Sequence, residues 1–139
     1  MPFLHIRIAP RRGTQVDAAA LACDFTRMAA DLLGKRADLT SVRVERIEPG
    51  DWFIDGVPGE RRLPTGHVQI QVTQGTNTAA EKAAFVARAY ERLAAAMGPL
   101  HPASYVVVDE IAADAWGYGG RTQAARRLET DAVATAATP

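Results

Sequence analysis

The sequence predicts an α/β (α+β) fold in which two consecutive β-α-β units form one four-stranded mixed sheet with two helices on one face. Three observations carry this reading. Strict apolar/polar alternation marks "FLHIRI" and "HVQIQVT" as half-buried strands. Apolar residues at spacings of three and four follow each of them, as on one face of a helix. The order strand, helix, strand occurs twice about 60 residues apart, and each crossover has the thirty or so residues it needs.

The elements follow in order. Leu4, Ile6 and Ile8 share one face of the first strand, with His5 and Arg7 on the other. A helix is predicted from about Asp17 to Leu33 with Leu21, Phe25, Met28 and Leu32 as its stripe, Thr14 and Asp17 able to cap its start, and Gly34 its end. "SVRVERI" is a second strand, and "EPGDWFIDGVPGERRLP" is rich in turn residues. In the second unit Val68, Ile70 and Val72 line a strand, and Thr78 with Glu81 forms a capping box. The next helix carries Val86, Leu93 and Met97, flanked by Phe85 and Tyr90, and stops at Gly98 and Pro99. "SYVVVDEI" is apolar enough to predict burial of both its faces. The chain is therefore expected to be one domain over 1–139, with a first unit at 1–65, a second at 66–121, and a tail or arm at 122–139 where apolar periodicity fades. Two helices on one face leave the other face of the sheet uncovered, which predicts an oligomer.

Composition narrows the function classes. Sixteen basic residues balance sixteen acidic ones, so no net field favours nucleic acid or an anionic membrane. Cys23 is the only cysteine, so there is no internal disulfide, and it falls off the helical stripe. No apolar run reaches the ~20 residues of a membrane span, and the start lacks the apolar stretch of a signal peptide. A cytoplasmic protein is expected. His5, His67 and His101 show no ligand spacing, so no metal is predicted.

Proline directly behind Met1, "LTSVRV" at Leu39 to Val44, and the late "WGYGG" together resemble 4-oxalocrotonate tautomerase and its superfamily. The resemblance runs to about Arg121 as a fused form with two family units in one chain, and it implies the tautomerase (MIF-like) fold and a homotrimer. It also implies that Met1 is removed and that Pro2 becomes the amino terminus. An internal proline nitrogen is a tertiary amide without basicity, whereas a terminal one is a rigid secondary amine. Desolvation or a nearby cation disfavours its ammonium form, towards a free base at neutral pH.

The resemblance carries over further residues one at a time. Arg43 matches the family arginine that binds a substrate carboxylate or polarises its carbonyl, often in a neighbouring subunit's pocket. Arg12 matches the second arginine, with Arg11 as the alternative. Trp52 or Trp116 matches the aromatic wall of the pocket. Aligning the halves sets Gly66 where a second proline would stand and Tyr105 where a second Arg43 would stand, so one type of site per chain is expected. Tyr105 is read as structural, or as a hydroxyl near the site. The implied activity is a cofactor-independent isomerase, a keto-enol tautomerase of a small 2-hydroxydienoate or 2-oxo acid. "TQGTNT" lacks the paired arginines of related decarboxylases and dehalogenases, which places those activities second. A non-catalytic ligand-binding or assembly module is the other alternative.

Overall fold

In the computed structural model of the chain, residues 1–137 are described. The last two residues of the segment read as a tail lie outside them. Strands β1 (Phe3–Ala9), β2 (Ser41–Arg46), β5 (Thr65–Thr73) and β6 (Tyr105–Ile111) form a mixed sheet in the order β2-β1-β5-β6. Each β-α-β crossover makes its own strands parallel, and the two units join through antiparallel β1 and β5. Helices α1 (Ala18–Leu33) and α2 (Ala79–Met97) lie side by side on one face. Short hairpins follow each unit's second strand: β3 (Phe53–Ile54) with β4 (Val57–Pro58), and β7 (Gly117–Tyr118) with β8 (Arg121–Thr122). The tight turns use Asp55 and Gly56 in one hairpin and Gly119 and Gly120 in the other, all at positive φ, as a two-residue hairpin turn requires.

The repeat is regular to the residue. Phe3 faces Ser41 and His67 faces Tyr105; Gly34 and Gly98 follow the two helices; the hairpins open at Phe53 and Gly117. Phe3 and His67, Ser41 and Tyr105, Gly34 and Gly98, and Phe53 and Gly117 each stand 64 positions apart. This offset corrects one alignment: Tyr105 is the counterpart of Ser41, and Val107 is the counterpart of Arg43.

The core lies between sheet and helices. Leu4, Ile6, Ile8, Val68, Ile70 and Val72 meet Leu21, Phe25, Met28, Phe85, Ala89 and Leu93 there, with Phe25 and Phe85 edge to face at 6.5 Å. The α2 stripe is Phe85, Ala89, Leu93 and Met97, one residue per turn, which leaves Val86 on the exposed side. At α1 the cap is Asp17, whose carboxylate accepts from the Ala20 amide, rather than Thr14. Gly34 ends that helix in the left-handed region, with the paired backbone bonds Gly34 to Ala30 and Lys35 to Ala29. The capping box of Thr78 and Glu81 forms as predicted.

The expectation that β6 buries both faces needs correction. Val106 and Val108 pack towards the helices, but Tyr105 is 61% and Val107 38% exposed. With helices on one side only, strand alternation sends every second residue to the bare face. Most of that face is polar: His5 bonds Glu45 at 2.7 Å, and Gln69 donates to Asp109 at 3.1 Å. A third helix, α3 (Gln123–Ala137), occupies the segment read as a tail or arm. Its run of alanine, arginine and glutamate favours helix without an apolar stripe, and Leu128 and Val133 remain 71% and 70% exposed.

Candidate active site

The sheet has two chemically different ends. At one end stands Pro2, buried, with its carbonyl accepting from the Ser41 amide at 3.2 Å. Continuing the register of Phe3 on Gln71 places Pro2 opposite Val72. In the chain as described the terminal amine belongs to Met1, and its pKa lies below the usual value, chiefly through burial and then through the nearby charges of Lys35 and Arg36. Trp116 is fixed at this end, its indole N–H donating to Thr73 Oγ1 at 3.1 Å. Thr73 also sits beside the residue facing Pro2.

At the other end Gly66 takes the place of Pro2. It is buried, and a Cβ there would stand 2.6 Å from Leu93 Cδ1, so a larger residue would have to displace that side chain. The Trp52 carbonyl is held at this end by Arg62, which donates to it at 2.8 Å and to Thr65 Oγ1 at 3.4 Å. Trp52 and Phe53 line a cavity of about 330 Å³ with Arg7, Ile47, Asp51 and His67. The His67 ring lies 3.4 Å from Arg7 Nη1, and burial first, then the Arg7 charge, lowers its pKa.

The remaining sequence candidates are not gathered around Pro2 of their own chain. Arg11 and Arg12 follow the far end of β1, which at ~3.3 Å per residue lies roughly 23 Å from Pro2. They line a cavity near the Gly66 end, where Arg12 pairs with Glu60. Arg43 is exposed on edge strand β2 beside His5. Alternation puts it on the bare face, opposite the face that Pro2 shares with Leu4. It has no hydrogen-bond or ion-pair partner among the described residues. Tyr105 pairs with His67 on the outer strand, also away from Pro2. Of the two tryptophans, one chain brings only Trp116 to the proline.

Four cationic residues escaped the sequence reading. Lys35 and Arg36 follow the stop at Gly34, a position that looks like surface charge until the helix end is seen beside the start of β1. Arg62 and Arg126, 64 positions apart, clamp the two hairpins. Arg62 donates to the carbonyls of Val57 and Trp52, and Arg126 donates to the Tyr118 carbonyl and stacks over its ring at 3.8 Å. Aligning the halves at the correct offset would have revealed that pair. Among the described residues no cluster of His, Cys, Asp or Glu could hold a metal, and no helix is long and apolar enough to cross a membrane.

With two units built around one sheet, and an amine at only one of two matched ends, the comparisons fall into place. Residues 67–126 match the family model described as tautomerase enzyme. The same offset maps that span onto residues 3–62, so the two structural units are of one kind. No curated protein sequence matches the chain. Among solved structures, an F6 fused 4-OT asymmetric trimer is 22% identical, with a TM-score of 0.73 over 88% of this chain and 98% of that one. A Q0 fused 4-OT symmetric trimer is 18% identical, with a TM-score of 0.76 over 89% and 98%. A macrophage migration inhibitory factor-like protein from Entamoeba histolytica is 15% identical, with a TM-score of 0.67 over 87% and 97%. Residues 67–126 thus resemble a tautomerase-family unit, and the chain as a whole shares the fold of the fused 4-OT structures.

Proposed function

We propose that the protein is a keto-enol tautomerase, needing no cofactor, of a small 2-hydroxydienoate or 2-oxo acid. The observation that carries this reading is the setting of the chain's start, where Pro2 is buried and the half-buried terminal amine lies within the influence of two cations, Lys35 and Arg36. Removal of Met1 transfers the amine to Pro2 in those surroundings. Both desolvation and like charge disfavour the ammonium, which lowers the amine's pKa below its ordinary value and towards the free base. The Pro2 nitrogen takes the enol O–H proton, the O–H electron pair becomes the carbonyl π bond, the C=C electrons move out to the carbon terminus, and the proton is returned to that carbon. Trp116 walls the site and keeps the amine from water.

The separation of Arg43, Arg12 and Arg11 from Pro2 within one chain supports an assembly in which neighbouring copies supply them. A trimer is the arrangement named for the two fused 4-OT structures, and a homotrimer of this chain would also cover Tyr105 and Val107. In that assembly Arg43 and Arg12 hold the carboxylate and stabilise charge on the carbonyl oxygen, with Arg11 and Tyr105 at the margin. The loop at 73–78 has no arginine, which keeps decarboxylation and dehalogenation second.

The test is ketonisation of phenylenolpyruvate by the native protein and by Pro2→Ala. General-base catalysis is worth about 10²–10⁴ in rate, and a large part of it should be lost. Equal rates would remove Pro2 from the mechanism, and absence of turnover in both would leave the non-catalytic binding module.

A further inference from the structure

We propose that the Gly66 end of the sheet is a second ligand site, which binds a flat aromatic monocarboxylate through Arg7 and His67 and, having no amine, does not convert it. This site stands independently of Pro2 as the reacting end. The offset of 64 shows what is particular to it. At the Pro2 end β1 and β5 pair Phe3 with Gln71, and at the Gly66 end the same strands pair His67 with Arg7, the counterparts of those two residues. An apolar and a neutral side chain therefore suffice at this register position, and the sheet does not need an imidazole and a cation there.

The walls suit a ring. Trp52 is the counterpart of Trp116, and Phe53 adds an exposed aromatic where the other unit has Gly117. With Arg7, His67 and Asp51 they line the cavity of about 330 Å³, within the range of about 300–1,000 Å³ of small-molecule sites. The bond from Arg62 to the Trp52 carbonyl fixes where this apolar surface begins.

Charge accounting points to a carboxylate. Arg7 is part-buried, and Glu45 Oε2 lies 3.9 Å from its Nε while accepting a closer bond, at 2.7 Å, from His5 Nε2. Its other contact is the His67 ring at 3.4 Å. A guanidinium held by one distant oxygen and one long hydrogen bond keeps donors to spare, at a cost while it is part-buried. Arginine only donates, so His67 Nδ1 is the acceptor and the proton of the neutral ring is on Nε2. Burial and then the Arg7 charge favour that neutral ring. The cavity thus offers a guanidinium and an imidazole N–H, two kinds of donor for one carboxylate. Asp51 is exposed, where water and salt screen its charge.

The experiment titrates the full chain with cinnamate, a flat monocarboxylate that cannot ketonise, and follows the indole N–H signals of Trp52 and Trp116 by proton–nitrogen correlation NMR. These are the chain's two tryptophans, one at each end, and Trp52→Phe assigns them. The Trp52 signal should move saturably with cinnamate and far less with cinnamyl alcohol, the uncharged control. Arg7→Gln and His67→Phe copy the residue types that Gln71 and Phe3 place at the matched positions, so the fold receives side chains it already accepts. Loss of a hydrogen bond to a charged group corresponds to roughly 10- to 100-fold weaker binding, and Arg7→Gln should raise the Kd read at Trp52 by that much. Loss of the neutral imidazole donor in His67→Phe should raise it about 3- to 10-fold. Pro2→Ala, at the far end, should leave that Kd within about twofold whether or not turnover survives. A Trp52 signal that stays still, a Kd unchanged by both variants, or an alcohol that binds as tightly as cinnamate would overturn the second site. A Trp52 response lost in Pro2→Ala would overturn it as well, by making that response part of the Pro2 site.

Discussion

Arg126 is the residue on which the position of the Trp116 hairpin depends. Its guanidinium donates to the Tyr118 carbonyl at 2.9 Å and lies 3.8 Å from the centre of the Tyr118 ring. A hydrogen bond from a charged donor contributes about 1.5–3 kcal/mol, and a cation over an exposed ring about 0.5–1 kcal/mol. Arg126→Ala should therefore lower the local opening free energy of the hairpin by about 2–3 kcal/mol, a factor of roughly 30–150. Amide hydrogen exchange reads this directly, because the Gln123 amide donates to the Trp116 carbonyl and the Ala124 amide to the Ala113 carbonyl. Those two amides should exchange faster by that factor, while amides of β1 and β5 stay protected. Exchange at Gln123 and Ala124 within about twofold of native would refute the clamp.

Three further predictions follow from the same geometry. Phe85→Ala should cost about 3–5 kcal/mol in urea unfolding, since the ring is fully buried against Phe25; a loss below about 1 kcal/mol would contradict the packing. Trp116→Ala should reduce kcat/KM for phenylenolpyruvate about tenfold or more by admitting water to the amine, and Trp52→Ala, at the Gly66 end, should leave it within about twofold; the reverse order would reassign the pocket wall. Because the active form is the free amine, kcat/KM should fall as pH drops through the amine pKa. That inflection should lie below the ordinary 7.7–8.0 of an α-amino group, lowered by burial and then by Lys35 and Arg36, and an inflection at or above 8 would count against the environment described.

The fold was largely legible because its signals are local. Alternation in "FLHIRI", the capping box at Thr78 and the stop at Gly34 are each decided within a few residues. The misreadings came where a tertiary partner decides. Val86 and Phe85 are equally apolar, and only the angle of α2 on the sheet selects Phe85. The apolar run of β6 says nothing of whether a second layer covers it. The α3 helix buries no stripe, so periodicity could not reveal it.

Placement of the candidate residues was less legible than the elements that carry them. Pro2 and Trp116 stand at the same end of the sheet because β1 and β5 run antiparallel, so the end of β5 that holds Trp116 lies beside the start of β1. That same reversal sends Arg12 and Trp52 to the other end, a consequence of topology that no spacing along the chain records.

The central claim is that the lone pair of Pro2, free only when Met1 is absent, performs the proton transfer. The most direct measurement is the rate of phenylenolpyruvate ketonisation by two forms of the same chain, one beginning at Pro2 and one retaining Met1, each verified by intact mass. The account predicts a loss of about 10²-fold or more in the form that keeps methionine. Equal rates from the two forms would contradict it.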